Sequence, residues 1–235
     1  RNEIRYERFY PVIEGLKRDH PGLKIAIHTA LTDDAGARRM EAAGVDTAMM
    51  DVIGSDDTIR EVYHLDRPVE DFEATLAALT STRMEVSPHI VIGLHYGRIL
   101  GEARALDIVA RHPVTALVLV VVMPFYARPG TFVTPDTADV GRIFLQARTR
   151  LADRQVLLGC ARPAGMHKRV TDAYAVMAGL DGIAFPADGA VGVARAIGRE
   201  QKPDDLVGTA VYMLSDLAGF VSGQTVVVDG GHIMY

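Results

Sequence analysis

Charged side chains follow several apolar segments of this chain, at positions where they could contact a ligand. Asp51 follows one such segment, and its carboxylate could accept hydrogen bonds from ligand hydroxyl or ammonium groups. The alternative is that Asp51 caps the helix that comes next. Arg162 follows another segment, and its guanidinium could hold a carboxylate through two parallel bonds or pair with a nearby acid such as Asp51 or Asp188. Both residues are candidate ligand contacts with a structural alternative.

Two glycines enclose an aromatic pair later in the chain. Gly93 and Gly97 flank the tripeptide Leu94-His95-Tyr96. Glycines here would let the backbone approach a ligand closely, although an ordinary turn between a strand and a helix needs them equally. His95 and Tyr96 could stack on a flat ligand ring, or lie in an exposed loop.

Histidine and cysteine offer two further kinds of chemistry. His28, His89 and His95 could converge on one metal ion, but no pair of them has the close spacing of metal-binding motifs, so hydrogen-bonded histidines are expected and no metal site is predicted. Cys160 would need a neighbouring base to act as a nucleophile, and His167 is the local candidate. A small buried thiol is the expectation for Cys160.

The composition excludes several classes of protein. The 235 residues carry 25 Lys and Arg against 30 Asp and Glu, a formal charge of −5, which argues against nucleic acid as a partner and against a polybasic membrane anchor. One cysteine cannot supply an internal disulfide or the three thiolates of an iron–sulfur cluster. No apolar run reaches the roughly 18–20 residues of a membrane span, and no signal peptide opens the chain. We therefore expect a cytoplasmic protein with a small-molecule ligand.

Short apolar segments alternate with helical patterns through residue 198. This alternation predicts an α/β fold with a parallel sheet. The segment Ala116-Leu-Val-Leu-Val-Val has no polar alternation, which predicts a strand buried on both faces. The predicted strands are residues 23–30, 45–52, 84–92, 116–123, 155–159 and 182–185.

Two architectures fit such alternation, a β/α barrel and an open doubly wound sheet. Polar, glycine or proline residues follow nearly every strand, as in a barrel whose strand ends converge on one edge. An open sheet would concentrate such residues at one switch point. The even spread favours a parallel, TIM-barrel-like β/α barrel. It is expected to be partial, because six β/α units are visible and a closed barrel has eight.

Several short stretches between residues 23 and 197 together carry a family resemblance: Ala43-Gly44-Val45-Asp46, Met50-Asp51-Val52-Ile53-Gly54, residues 60–64, residues 88–97, Gly101-Glu102, Met123-Pro124, residues 129–131, residues 159–163 and residues 181–186. With these stretches in the expected order, residues 23–197 resemble a radical S-adenosylmethionine protein of the biotin synthase and lipoyl synthase type.

This resemblance implies a barrel that binds S-adenosylmethionine and a [4Fe–4S] cluster, makes a 5′-deoxyadenosyl radical and often inserts sulfur. The family's C-x-x-x-C-x-x-C cluster loop is absent, and it would belong to β/α units before the first predicted strand. We therefore expect no competence for that reaction from this chain alone. The implied cofactor contacts are Asp51, Gly93, His95, Tyr96, Gly97, Met123 and Arg162.

The last residues resemble a different family. Residues 202–208, Leu214-Ser215-Asp216, Gly223-Gln224 and Val228-Asp229-Gly230-Gly231 are similar to the C-terminus of a short-chain dehydrogenase/reductase. There is no Y-x-x-x-K and no early glycine-rich dinucleotide loop, so NAD(P) is not expected to bind.

The chain is therefore interpreted as two joined parts, residues 1–198 and 199–235, the second adding a helix and a strand at 225–229. A natural fusion, an engineered chimera and an assembly error are all compatible with the join. A non-catalytic scaffold and an NAD(P)-dependent reductase fragment are the alternative functions. Because a partial barrel leaves strand edges free, a homodimer through those edges is also expected.

Overall fold

Six parallel strands form a single sheet in the computed structural model, which describes residues 6–124 and 127–198. The strands are β1 Ala26–His28, β2 Thr47–Asp51, β3 Glu85–Ile92, β4 Ala116–Val121, β5 Gln155–Leu158 and β6 Gly182–Ile183. After a 3-10 turn at Tyr6–Phe9, the helices are α1 Tyr10–Asp19, α2 Asp34–Ala43, α3 Asp56–Glu61, α4 Val69–Thr80, α5 Glu102–Ala110, α6 Thr137–Arg150, α7 Met166–Met177 and α8 Ala190–Ala196.

The order of the strands decides between the two architectures. Each strand pairs in parallel with the next one in the sequence, from β1 through β6, without any reversal of order. A doubly wound sheet would show a reversal at its switch point. The fold is therefore α/β and TIM-barrel-like, as the sequence predicted.

Local sequence signals start and stop the helices that wind this sheet. The Asp33 carboxylate accepts a hydrogen bond from the Gly36 amide and so caps the start of α2, while Gly44 ends that helix with a φ of +94°. The Asp136 side chain caps α6 in the same way. The N-caps fix where α2 and α6 begin, and Gly44 fixes where α2 ends before the chain enters β2.

The two faces of the sheet differ in burial. Residues such as Ile90, Ile92 and Leu119 point toward the helices and are buried. Val118 and Val120 on the opposite, inner face of β4 are only half-buried. The prediction that β4 is buried on both faces was therefore wrong, because the described residues place no second layer over the inner face.

Several predicted bounds differ from the structure at their ends. The strands predicted at 23–30 and 182–185 are shorter. The apolar spacing predicts a helix over residues 170–178, and α7 begins four residues earlier, at Met166. The spacing also predicts a helix over residues 4–19, and within the described part the structure has the 3-10 turn followed by α1. The predicted tail, including the strand at 225–229, lies outside the described residues. No helix among the described residues is both long enough and apolar enough to cross a membrane.

Candidate functional site

Asp51 lies in a polar cluster at the carboxyl-terminal edge of the sheet, which we call the rim. It is the last residue of β2, and it pairs in register with His89 of β3. The Tyr63 hydroxyl donates to Asp51 Oδ2 at 2.7 Å, and His28 Nε2 lies 3.5 Å from Asp51 Oδ1. The rings of His28 and His89 are 5.3 Å apart between centroids. The fold therefore brings four polar side chains from β1, β2, β3 and the segment after α3 into one group.

Mutual contacts set the charges in this cluster. Burial acts to raise the pKa of Asp51, but hydrogen bonds with His28 and Tyr63 outweigh it and hold that pKa below its ordinary value. The hydrogen bond with Asp51 raises the pKa of His28, while burial lowers the pKa of His89. Burial and the Asp51 charge raise the pKa of Tyr63. At neutral pH the cluster therefore presents a carboxylate, with Tyr63 as a neutral donor.

The three histidines considered as metal ligands do not form one set. His28 and His89 are neighbours, but His95 Nδ1 lies 3.3 Å from the Thr58 hydroxyl and its ring packs edge-on against Tyr96. Among residues 6–124 and 127–198, no group of three or more histidine, cysteine or acidic side chains is arranged to hold a metal ion.

Gly93 and Gly97 are required by packing between loops. A Cβ on Gly93 would lie 2.2 Å from Pro135 Cγ, and a Cβ on Gly97 would lie 1.9 Å from the Val133 carbonyl oxygen. Both glycines also have a positive φ, +77° and +90°. The close neighbours of these glycines are therefore parts of the segment before α6.

The aromatic pair between these glycines is held by the protein. Tyr96 has a φ of +54°, and its hydroxyl donates to the Glu61 carbonyl oxygen at 2.9 Å. Its ring packs 5.1 Å from that of Phe132. Both His95 and Tyr96 are half-buried, so each keeps part of its surface at the rim.

A buried carboxylate supports this loop from below. Glu102 opens α5 and is 4% exposed, and its Oε1 accepts from the Gly93 amide at 2.8 Å. No hydrogen bond reaches Oε2. Burial raises the pKa of Glu102 above its ordinary value. Glu102 thereby fixes the end of β3, where the loop begins.

Arg162 lies in a buried ion pair. Its Nε and Nη2 donate to the two oxygens of Asp172 at 2.6 and 3.1 Å, and neither side chain is exposed. The remaining nitrogen contacts are carbonyl oxygens of Gly159, Ala184 and Phe185. The partner acid is Asp172 of α7, in place of Asp51 or Asp188. In this arrangement the guanidinium is used entirely within the protein.

The other candidates lie near the rim without shared contacts. Met123 is half-buried, two residues after β4. Cys160 is exposed at the end of β5, contrary to the expectation of a buried thiol, and His167 Nε2 lies 2.9 Å from the Pro135 carbonyl oxygen.

The sequence patterns did not predict Tyr63 as the partner of Asp51 or Asp172 as the partner of Arg162. Tyr63 stands within a stretch that carries the family resemblance, whereas Asp172 has no signal beyond its place in a helical pattern.

Solved structures share this fold. The chain superposes on methylornithine synthase (PylB) with a TM-score of 0.58, 13% identity, and coverage of 77% of this chain and 52% of that one. It superposes on the FeFe-hydrogenase maturase HydG from Carboxydothermus hydrogenoformans with a TM-score of 0.56 and 17% identity, covering 77% and 44%. The chain thus spans about half the length of these proteins, and the likeness shows the barrel fold.

A family model matches the end of the chain. The model described as Enoyl-(Acyl carrier protein) reductase matches residues 177–232. Its first part overlaps β6 and α8, which the structure joins to the barrel sheet through pairing of β6 with β5. The rest of the matched segment lies outside the described residues. No curated protein matches the sequence.

Proposed function

We propose that residues 6–198 belong to a barrel of the radical S-adenosylmethionine type that binds an adenosine-bearing ligand, S-adenosylmethionine, at the rim beside β1–β3. The observation that carries this proposal is the Asp51 carboxylate, fixed by Tyr63 and flanked by His28 while its side chain stays 28% exposed. The barrel fold and the order of the resembling stretches agree with it.

The Asp51 cluster suits the hydroxyl groups of a ribose or an ammonium group. An ionised carboxylate accepts hydrogen bonds from hydroxyl and ammonium donors alike. These bonds are stronger than bonds to a neutral acceptor, because the carboxylate is charged. The Tyr63 hydroxyl keeps one oxygen of Asp51 oriented, so a ligand need not order that side chain on binding. His95 and Tyr96 would border the same ligand from the end of β3.

The [4Fe–4S] cluster implied by the resemblance does not fit the residues present. The 235 residues hold one cysteine, and the described residues contain no metal-binding group. In the family this cluster supplies the electron that cleaves S-adenosylmethionine. The biotin synthase or lipoyl synthase type is part of our proposal through the resembling stretches alone, and we derive no radical or sulfur-insertion step for this chain.

A thermal shift experiment separates the candidate functions. We expect S-adenosylmethionine to raise the unfolding midpoint of the wild type, because a ligand that binds the native state stabilises it. Asp51→Asn should remove most of that shift. Asp153→Asn, an exposed change between α6 and β5, should retain it.

The same panel tests the rival functions. A shift with NADPH and none with S-adenosylmethionine would favour a reductase fragment, for which the match at residues 177–232 is the supporting observation. A shift of the unfolding midpoint with neither compound would favour a non-catalytic scaffold and contradict the proposal.

The partner, domain division and location stay predictions. In the described sheet β1 and β6 each pair along one side only, which leaves the free edges expected to support a homodimer. Sedimentation at micromolar concentration tests this directly, since a compact monomer would contradict it. The division at residue 198, the cytoplasmic location and the expectation of no nucleic acid or membrane partner stand on the sequence.

A further inference from the structure

Phe185 has both an unfavourable backbone conformation and an exposed aromatic ring. It follows β6, has a φ of +51°, and is 74% exposed, the largest value for a big apolar side chain among the described residues. A positive φ strains any residue with a Cβ, and the proline that follows restricts the backbone further. An aromatic ring in water gains no burial to offset that strain. Packing among residues 6–124 and 127–198 therefore gives no reason for phenylalanine here.

The backbone around Phe185 is held by the buried ion pair. Arg162 Nη2 donates to the carbonyl oxygens of Ala184 and Phe185, each at 2.9 Å. Asp172 Oδ2 accepts from the Ala187 amide at 2.6 Å. Because Arg162 and Asp172 are fully buried, the segment that carries the exposed ring is anchored on both sides. Strain that the surrounding structure enforces is a recurrent sign of a binding position.

Phe185 is the most exposed of the large apolar side chains among the described residues. Between residues 178 and 198 the other exposed large apolar side chain is Ile197, at 48%. A docking surface for another protein needs a contiguous apolar patch of several hundred Å². A single ring instead matches the face of a single flat ring, and it lies at the end of a strand, where barrel enzymes bind their ligands.

We propose that Phe185 is a stacking surface for a planar ring of a small-molecule ligand at the β5–β6 side of the rim. That ring could be the adenine of the ligand proposed above, in which case this inference rests on the proposed function. It could also belong to a separate aromatic substrate. Offset stacking of a planar ring on an aromatic side chain is the chemistry that both share.

The test uses four variants and two probes, adenosine and indole, titrated separately and observed by NMR through the ring-current shifts of the probe protons. Phe185→Leu keeps an apolar side chain but lacks the aromatic face. It should lower the affinity for one of the two probes about tenfold or more. Phe185→Tyr should bind that probe within about twofold of the wild type, because it keeps the aromatic face. Met177→Ala, a 64% exposed control at the end of α7, should not change either affinity.

Phe185→Gly provides a readout that needs no ligand. Removing the Cβ relieves the backbone strain, so the unfolding midpoint should rise. The variant should also no longer bind the probe whose affinity Phe185→Leu lowers. A lowered midpoint would mean that the ring supports the fold, and it would overturn the proposal.

The binding outcomes distinguish the sources of the ring. If Phe185→Leu lowers the affinity for adenosine, the stacked ring is the adenine of the proposed ligand. If it lowers the affinity for indole alone, the stacked ring belongs to a separate aromatic substrate. Equal binding by wild type and Phe185→Leu, or no binding of either probe by the wild type, overturns this inference. If S-adenosylmethionine binding still depends on Asp51 in that case, the proposed function stands without it.

Discussion

Two carboxylates meet a basic side chain at the same edge of this sheet, with opposite consequences. On the β5–β6 side, Asp172 and Arg162 are completely buried and use all their contacts within the protein. On the β1–β3 side, Asp51 lies between His28 and Tyr63 with 28% of its side chain exposed. A carboxylate therefore holds the backbone together in one region and remains available to a ligand in the other. The two sites differ in burial and in the partner of the carboxylate, a guanidinium in one and an imidazole with a phenol in the other.

The largest effect should follow from breaking the buried pair. Arg162→Met leaves Asp172 as an unpaired buried charge, and we expect the free energy of unfolding to fall by about 3–5 kcal/mol. Urea unfolding measures this. Arg169→Met, a change of an exposed arginine on the same helix as Asp172, should cost less than about 0.5 kcal/mol. If the free energy of unfolding fell by less than about 1 kcal/mol in Arg162→Met, the Arg162–Asp172 pair would not hold β6 as described.

A smaller effect should follow from removing the donor to Asp51. Tyr63→Phe deletes one hydrogen bond to a partly exposed carboxylate, and the free energy of unfolding should fall by about 1 kcal/mol. The pKa of Asp51 should rise, because a bond that favours its charged form is gone. Carbon NMR titration of the carboxyl groups measures both this change and an internal control. The pKa of Asp46, held at about 2 by Lys17, should not move.

The charge of the partly exposed Asp51 carboxylate should matter little for stability. Asp51→Asn keeps an acceptor for Tyr63 and removes only the charge, so the free energy of unfolding should change by no more than about 0.5 kcal/mol. The comparison with Arg162→Met is made in the same urea series. A loss comparable to that of Arg162→Met would show that the Asp51 cluster is a structural pair as well, and the contrast between the two regions would disappear.

The smallest effect concerns pH. His28 has a raised pKa and faces Asp51 and His89, so its pairing with Asp51 stabilises the fold below the ordinary histidine pKa of about 6.5. That contribution is lost as the pH rises through the raised value. The stability advantage of wild type over His28→Gln should therefore shrink between about pH 5.5 and pH 9, by about 0.5 kcal/mol or less because the pair is half-exposed. An advantage that grows with pH would contradict this assignment.

More of the fold than of the candidate site could be predicted from the sequence. Alternation of strands and helices, with polar residues after nearly every strand, was enough to predict the barrel and to place Asp51 at a strand end. The partners of the charged groups were not accessible, because Asp172 reaches Arg162 across the packing of α7 on the sheet and Tyr63 reaches Asp51 across a turn after α3. The strain at Phe185 was equally hidden, since it depends on a backbone angle that no local pattern specifies.

Calorimetric titration of S-adenosylmethionine into wild type and Asp51→Asn is the decisive measurement for a ligand site at the Asp51 cluster. We expect saturable binding to the wild type and an affinity at least about tenfold weaker for Asp51→Asn, which equals about 1.4 kcal/mol. The variant should unfold at nearly the same urea concentration as the wild type. Absence of binding to the wild type, or equal affinity for both proteins, would contradict the assignment of the Asp51 cluster as the ligand site.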